Sequence, residues 1–179
     1  MDIRILFIVA IGILILTFIY MYFDGKRFRK EMEVFQQKKI SDGEYKDKII
    51  MAIRHMDGYQ FEDFMVLLFN SLGHKAKKTS GSKDMGKDII LDKNCYVECK
   101  CYRKGNVTSP MVNKLIGSAV SDGIDKCMFV TTNGYTKDAL KIIEKASNKI
   151  NIERWYLDDI LNSCMNVNRS RILNYLDKI

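Results

Sequence analysis

The chain has little of several residues that mark particular protein classes. Its 179 residues include one Pro, two His and one Trp, and its five Cys are an odd number without C-x-x-C spacing. The scarcity of Pro and the lack of repeats exclude collagen-like, Pro-rich and solenoid architectures. His55 and His74 are too few for a His-based zinc site, and Cys99 with Cys101 lacks a second pair to complete four ligands. The cysteines are therefore expected to be reduced and buried.

What is present is the composition of one folded domain with an appendage. Hydrophobic residues make up 47% of the chain and charged residues 28%, which excludes a disordered polymer because enough apolar surface exists to build a core. The length leaves little room for two full domains. The formal net charge of +7 indicates an anionic partner, but most of this surplus lies outside residues 57–163. Net charge is therefore weak evidence for any particular partner.

Residues 5–23 form a long uncharged run with the length of a membrane span. As a helix the run would rise to about 28 Å, close to the hydrocarbon thickness of a bilayer. Four basic residues follow within residues 26–30. The positive-inside rule then places the N-terminus outside and the body in the cytoplasm, at the plasma (inner) membrane. A cleaved signal peptide and a buried core helix are the alternatives, but the charge behind the run and the lack of a small-residue cleavage site favour an uncleaved anchor.

Behind an anchor at residues 1–24, the chain divides into three parts. Residues 25–56 are polar with helical periodicity, which predicts a juxtamembrane stalk. Residues 57–163 alternate helical and strand patterns and predict one α/β domain. Residues 164–179 carry apolar side chains at helical spacing, which predicts an amphipathic C-terminal helix that packs on the body or on a second copy.

The body begins with a helix that has a capping box at Asp57 and Gln60 and a stop at Gly73. The elements predicted after it are an extended piece at 74–79, strands at 88–91 and 95–101, a helix at 109–122, a strand at 126–132, a helix at 136–148, a strand at 150–155 and a helix at 157–163. Because a hairpin is embedded in this α/β order, the central sheet is expected to be mixed.

The hairpin carries the most informative pattern. If residues 92–94 form a three-residue loop with Asn94 in the left-handed conformation, Leu91 lies opposite Cys95. Counting back along both strands then fixes which side chains share a face, and a slip of one residue would move Asp88 to the other face.

In that register Asp88, Glu98 and Lys100 converge on one face of the hairpin. Two carboxylates at cross-strand distance repel each other unless a positive charge lies between them. A hard divalent cation such as Mg²⁺ accepts oxygen ligands of this kind, and a neighbouring lysine can orient or deprotonate an attacking water. An ordinary cross-strand salt bridge on an exposed sheet is the alternative that the spacing leaves open.

The stretch Gly-Lys-Asp88-Ile-Ile followed by Glu98-Cys-Lys100 resembles the D…(D/E)xK signature of restriction-endonuclease-like nucleases. Residues 57 to about 161 are similar, more specifically, to the Mrr-type restriction endonuclease catalytic domain. The other matching residues are Gly58, Phe61, Glu62, Leu72, Gly73, Asp84, Gly86, Leu115, Gly117, Phe129, Thr131, Thr132 and Ala139. Lys87 stands where the PD form of the signature has Pro, and many members of the family carry Gln in place of Glu98.

The resemblance implies a three-layer restriction-endonuclease-like fold with a mixed central sheet, and metal-dependent hydrolysis of DNA phosphodiester bonds. It implies Asp88 and Glu98 as the ligands of Mg²⁺ (or Mn²⁺) and Lys100 as the catalytic lysine. Glu62 on the first helix is the accessory candidate, since the equivalent residue approaches the site in parts of the family; a solvated helix residue is the alternative.

Basic residues around the hairpin are candidates for sequence-independent contact with DNA phosphates. They are Lys75, Lys77, Lys78, Lys87 and Arg103. A strand edge that lysines protect from aggregation is the alternative.

The function expected from these features is a Mg²⁺-dependent endodeoxyribonuclease that restricts foreign DNA. Cutting both strands would require two active sites, so a homodimer is expected as well. The alternatives are a non-catalytic membrane-tethered DNA-binding module, which salt-sensitive binding without cleavage would reveal, and a structure-selective repair nuclease.

Overall fold

The computed structural model describes residues 17, 20–22, 24–27, 41–79 and 86–179, and the structural statements below concern these residues alone. The chain forms two units, Met1–Glu44 and Tyr45–Ile179. Most of the predicted anchor at residues 5–23 and much of the predicted stalk lie outside the described residues. In the described part of the chain, we find no helix with both the length and the apolar character that crossing a membrane requires.

The observed elements follow the predicted order closely. From residue 41 onward the helices are α1 (Asp42–His55), α2 (Gly58–Ser71), α3 (Ser109–Ser121), α4 (Lys137–Ala146), α5 (Leu157–Met165) and α6 (Arg169–Leu176). The strands are β1 (Ala76–Lys78), β2 (Ile89–Leu91), β3 (Cys95–Lys100), β4 (Asn106–Val107), β5 (Lys126–Thr131), β6 (Gly134–Tyr135) and β7 (Asn151–Trp155). The predicted capping box forms at the start of α2, where the Gln60 amide donates to Asp57 at 2.8 Å.

The central sheet is mixed, as predicted, with the strand order β1-β2-β3-β5-β7. Strands β1, β2 and β3 pair antiparallel, whereas β3, β5 and β7 pair parallel. The short pair β4 and β6 forms a separate two-stranded sheet that the sequence did not predict, because two-residue strands show no hydrophobic period. Strand β3 therefore has a neighbour on each side, which makes it a stable base for functional side chains.

Helices cover both faces of the sheet and give three layers. On one face Tyr96 and Phe129 join a buried cluster with residues of α3 and α4, including Leu115 and Ile143. The other face packs against α1 and α2: the Cys101 thiol lies 3.5 Å from a carbonyl oxygen of α1, and the rings of Phe69 and Trp155 are 5.2 Å apart. Alternation along β3 places Tyr96 and Val97 on opposite faces of the sheet and so separates the two cores.

The hairpin has the predicted register but not the predicted loop conformation. Leu91 pairs with Cys95 and Ile89 with Val97. The left-handed residues are Asp92 and Lys93, with φ of 52° and 67°, so the expectation that Asn94 takes this role was wrong. The physical reason is that the carboxylate of Asp92 accepts a hydrogen bond from the backbone amide of Lys75 at 2.8 Å and contacts the His74 ring at 2.7 Å. These contacts fix the turn against the segment that follows α2.

Two segments that the sequence placed outside the body contribute to its core. The compact unit begins at Tyr45, because Tyr45, Ile49 and Ile53 of α1 are buried and the Tyr45 hydroxyl contacts a carbonyl of α5. Residues 45–56, which the sequence assigned to the stalk, therefore belong to the same compact unit as the predicted body. The predicted C-terminal helix forms as α6 and packs on α2, where the Tyr175 hydroxyl donates to the Gln60 carbonyl at 3.0 Å.

Candidate active site

Glu98 and Lys100 lie two residues apart on β3, so their side chains emerge on the same face of the central sheet. Glu98 is 7% exposed, which is unusual for a carboxylate. The Lys100 ammonium lies 2.5 Å from Glu98 Oε1 and 3.9 Å from Asp88 Oδ2. One lysine is therefore shared between two acidic side chains, and the structure brings together the three residues that the hairpin register grouped.

Asp88 reaches this site from the entrance to β2. Its amide donates to the carbonyl of Val97 at 2.8 Å, although the regular ladder pairs Val97 with Ile89. The chain therefore leaves the ladder at Asp88, and its Oδ2 accepts the amide of Cys99 at 2.7 Å. This hydrogen bond to the backbone of β3 fixes the carboxylate beside the strand that carries Glu98.

Burial and charge make Glu98 a weak acid in this setting. Burial, and then the neighbouring Asp88 carboxylate, raise the pKa of Glu98 to about 7, although the Lys100 charge acts in the opposite direction. Burial acts to lower the pKa of Lys100, but the Glu98 charge and hydrogen bond outweigh it and leave that pKa raised. Lys100 is therefore a protonated ammonium at neutral pH, while Glu98 is close to its point of half-protonation.

The carboxylate oxygens of Asp88 and Glu98 fit a divalent cation that binds few protein ligands. Glu98 Oε2 is buried and has no hydrogen-bond partner among the described residues, so it is an acceptor without a donor. The described part of the chain holds no group of three or more His, Cys, Asp or Glu that could enclose a metal. Mg²⁺ commonly binds through one or two carboxylates and fills its other positions with water and substrate phosphate, which matches Asp88 and Glu98.

Glu62 on α2 lies at the border of this site. Burial and then the Asp88 charge raise its pKa, and Lys100 acts on it in the opposite direction. Its carboxylate is 3.2 Å from the ammonium of Lys78. Glu62 is thus within electrostatic reach of Asp88, as its accessory role requires, but it is engaged in an ion pair.

The basic candidates separate into two groups. Lys78 pairs with Asp63 at 2.8 Å as well as with Glu62, and Lys87 pairs with Asp122 at 2.5 Å and covers the ring of Tyr96. Both lysines thus tie the hairpin region to a neighbouring helix. The candidates with exposed side chains are Lys75, Lys77 and Arg103.

A cavity of about 560 Å³ lies away from the carboxylates. Arg54, His55, Cys101 and Arg103 are among the residues that line it. Asp88, Glu98 and Lys100 are not among its lining residues, whereas residues of α1 are. The cavity therefore belongs to the α1 side and not to the acidic site.

Lys114 on α3 is a residue near the site that the sequence did not single out. Its charge opposes the upward shift of the Glu98 pKa, and its stem crosses Gly86 just before Asp88. Nothing in the local sequence pattern distinguishes it from other exposed helical lysines, because its neighbourhood arises only when α3 folds onto the sheet.

A mixed sheet between two helical layers, with two carboxylates and a lysine at its centre, defines a nuclease domain of the restriction endonuclease class. The sequence profile Mrr_cat, described as restriction endonuclease, matches residues 53–164, which is more than half of the chain. The chain therefore belongs to the Mrr_cat family of restriction endonuclease domains.

The chain is also similar to one solved structure, in its fold, and to one curated protein, in its sequence. The DNA modification-dependent restriction endonuclease AspBHI has a similar fold, with a TM-score of 0.55 and 17% identity over 80% of this chain and 41% of that one. The uncharacterized protein y4cE of Sinorhizobium fredii (strain NBRC 101917 / NGR234) is 34% identical over 98 residues, or 50% of this chain. The match spans 25% of the length of y4cE.

The titration of Glu98 predicts that Glu98→Gln stabilises the metal-free protein more at pH 8 than at pH 5. A carboxyl whose folded pKa is raised from 4.5 to about 7 contributes full stability below the unfolded pKa and loses it as pH rises through 7. The difference has an upper limit of about 3 kcal/mol, and glutamine removes it because it does not ionise.

Thermal unfolding of both proteins at the two pH values measures this effect. Glu144→Gln, at an exposed position of α4, is the matched control and should show no such pH dependence. A difference between Glu98→Gln and wild type that is the same at pH 5 and pH 8 would contradict the assignment of a weakly acidic, buried Glu98.

Proposed function

We propose that this protein is a metal-dependent DNA endonuclease of the Mrr type that restricts foreign DNA. The observation that supports the proposal most strongly is the buried Glu98 carboxylate, which shares Lys100 with Asp88 and has one oxygen without a hydrogen-bond donor among the described residues. Buried acceptors are seldom left unsatisfied when a salt bridge has only a structural role. Family membership supports the reaction class, and this arrangement supports the choice of Asp88, Glu98 and Lys100 as its residues.

In this proposal Asp88 and Glu98 would hold Mg²⁺ or Mn²⁺, which supplies Lewis-acid stabilisation of the phosphoryl oxygens. Hydrolysis adds water across one P–O bond and leaves a terminal phosphate and a hydroxyl. Lys100 orients the attacking water and offsets negative charge that develops on the phosphoryl group. Its raised pKa favours this role as a protonated donor over that of a general base.

The exposed basic residues are candidates for contact with the DNA backbone. Lys77 lies on the edge strand β1 and Lys75 directly precedes that strand, whereas Arg103 follows β3 and lines the cavity on the α1 side. Phosphate contacts of this kind position a duplex without reading its sequence. Lys78 and Lys87, which the sequence also nominated, support the hairpin through their ion pairs and take a secondary part in DNA binding.

We further propose that residues 5–23 anchor the protein in the plasma (inner) membrane with the nuclease domain in the cytoplasm. The uncharged run and the basic residues behind it support this location. Retention of the full chain in membranes after alkaline extraction is expected, and complete release would contradict it. A homodimer, with one active site for each strand, accompanies the proposal for double-strand cleavage.

Plasmid nicking by the full chain with Mg²⁺ tests the proposed activity. Asp88→Ala and Lys100→Ala should each lower the rate by a factor on the order of 10² to 10³, because each removes a charge that acts on the transition state. Lys141→Ala is the control, since Lys141 is exposed on α4 and pairs only weakly with Asp138 at 3.3 Å.

The outcomes separate the proposed function from its alternatives. Cleavage that survives both active-site substitutions would contradict the assigned site. Salt-sensitive DNA binding without metal-dependent cleavage would identify a non-catalytic binding module. A strong preference for branched DNA over plasmid would identify a structure-selective nuclease.

A further inference from the structure

The side chain of Lys114 on α3 packs closely against the backbone of Gly86, and neither residue has a role in the proposed reaction. Gly86 has φ of +87°, and a Cβ added there would lie 2.8 Å from Cγ and Cδ of Lys114 and 3.0 Å from Cε. The aliphatic stem of Lys114 therefore runs directly across the backbone of Gly86. Any larger residue would require the lysine to move, so glycine at this position both allows the left-handed turn and gives the stem its path.

The contact places the Lys114 ammonium in the field of the acidic site. Gly86 lies two residues before Asp88, and the charge of Lys114 acts on the Glu98 carboxyl. Three other lysines near the acidic pair are already held by carboxylates: Lys78 by α2, Lys87 by Asp122 and Lys100 by Glu98. Lys114 has an exposed side chain and takes part in no ion pair within the described residues.

An ammonium beside the acidic pair favours the approach of an anionic phosphate. Before a metal binds, Asp88 and a partly ionised Glu98 carry more negative charge than Lys100 balances, and Lys114 adds a positive charge on the side of α3. An ammonium is compact and has three donors, and it binds a phosphate as a point charge. Because the aliphatic stem of Lys114 packs against Gly86, binding of its ammonium to phosphate costs less conformational entropy than binding by a fully solvated lysine.

We propose that Lys114 is a phosphate-binding residue of the nuclease site, held over Gly86 so that its ammonium contacts the DNA backbone beside the acidic pair. The inference rests on the proposed function and deepens it, since it adds a substrate contact from α3 to the residues supplied by the hairpin.

Two substitutions at position 114 test the charge separately from the stem. Lys114→Met keeps most of the aliphatic stem and removes the charge, whereas Lys114→Arg keeps the charge. DNA affinity is measured as a function of salt by fluorescence anisotropy, with Ca²⁺ in place of Mg²⁺. Loss of one phosphate contact should reduce the slope of log K against log salt by about one and weaken binding several-fold. Arginine should restore both, and Lys141→Met, on the neighbouring helix α4, should change neither.

Gly86→Ala tests the path of the stem. Alanine at this position should weaken DNA binding in the wild-type background and have no further effect on binding in the Lys114→Met background, because the ammonium is already absent. Backbone strain at the left-handed position should lower Tm equally in both backgrounds, which separates folding from binding. An equal loss of DNA affinity in the wild-type and Lys114→Met backgrounds would contradict the proposal that Gly86 positions the Lys114 ammonium for DNA binding.

The experiment distinguishes the two proposals. If wild type cleaves DNA and Lys114→Met binds with an unchanged salt slope and an unchanged KM, the inference fails while the nuclease function stands. If wild type does not cleave in Mg²⁺ but Lys114→Met reduces the salt slope, the nuclease function fails and the phosphate contact stands. In an active enzyme, Lys114→Met should raise KM more than it lowers kcat, since the contact forms already in the bound ground state.

Discussion

The burial of Glu98 beside Asp88, with Lys100 in direct contact with both, is the constraint on which the site depends. A carboxylate on a central strand costs free energy unless it is paired and fully hydrogen-bonded, and Glu98 is only partly so. This unfavourable arrangement raises the Glu98 pKa to about 7 and leaves one carboxylate oxygen without a donor among the described residues. A divalent cation would stabilise the ionised Glu98 carboxylate and would bind its unpaired oxygen. The groups that destabilise the metal-free site are therefore the groups proposed to bind the metal.

The fold holds these groups in place through the neighbours of β3. The antiparallel partner β2 delivers Asp88, whose carboxylate accepts the Cys99 amide, and the parallel partner β5 closes the other side of the strand. Ion pairs from Lys78 to α2 and from Lys87 to Asp122 tie the approach to β2 to both helical layers. The acidic pair is therefore fixed by backbone pairing first and by side-chain pairing second.

Much of the site was predictable because it lies on one hairpin, where spacing alone determines which side chains share a face. The three central residues and the register were predicted on this basis. The conformation of the turn was not predicted. The carboxylate of Asp92 accepts a hydrogen bond from the distant Lys75 amide, and Asp92 and Lys93, not Asn94, are left-handed. Local sequence does not contain that bond.

The remaining differences also arise from contacts between distant segments. Helix α1 has the polar composition of a stalk, yet its few apolar residues on one face are buried in the body. The ion pair of Lys87 depends on a residue at the end of α3, and the position of Lys114 depends on how that helix lies against Gly86. These contacts can be identified only from the tertiary structure. Neither hydrophobic periodicity nor secondary-structure propensity indicates which exposed lysine will pack against another segment.

Calorimetric titration of the full chain with Mn²⁺ tests the central claim most directly. Because Glu98 is largely protonated below pH 7, metal binding should release a proton at pH 6 and almost none at pH 8.5, with tighter binding at the higher pH. Buffers of different ionisation enthalpy measure this release. The account predicts that Glu98→Gln weakens Mn²⁺ binding, because a neutral amide oxygen replaces a carboxylate, and abolishes the proton release; proton release at pH 6 that is unchanged in Glu98→Gln would contradict it.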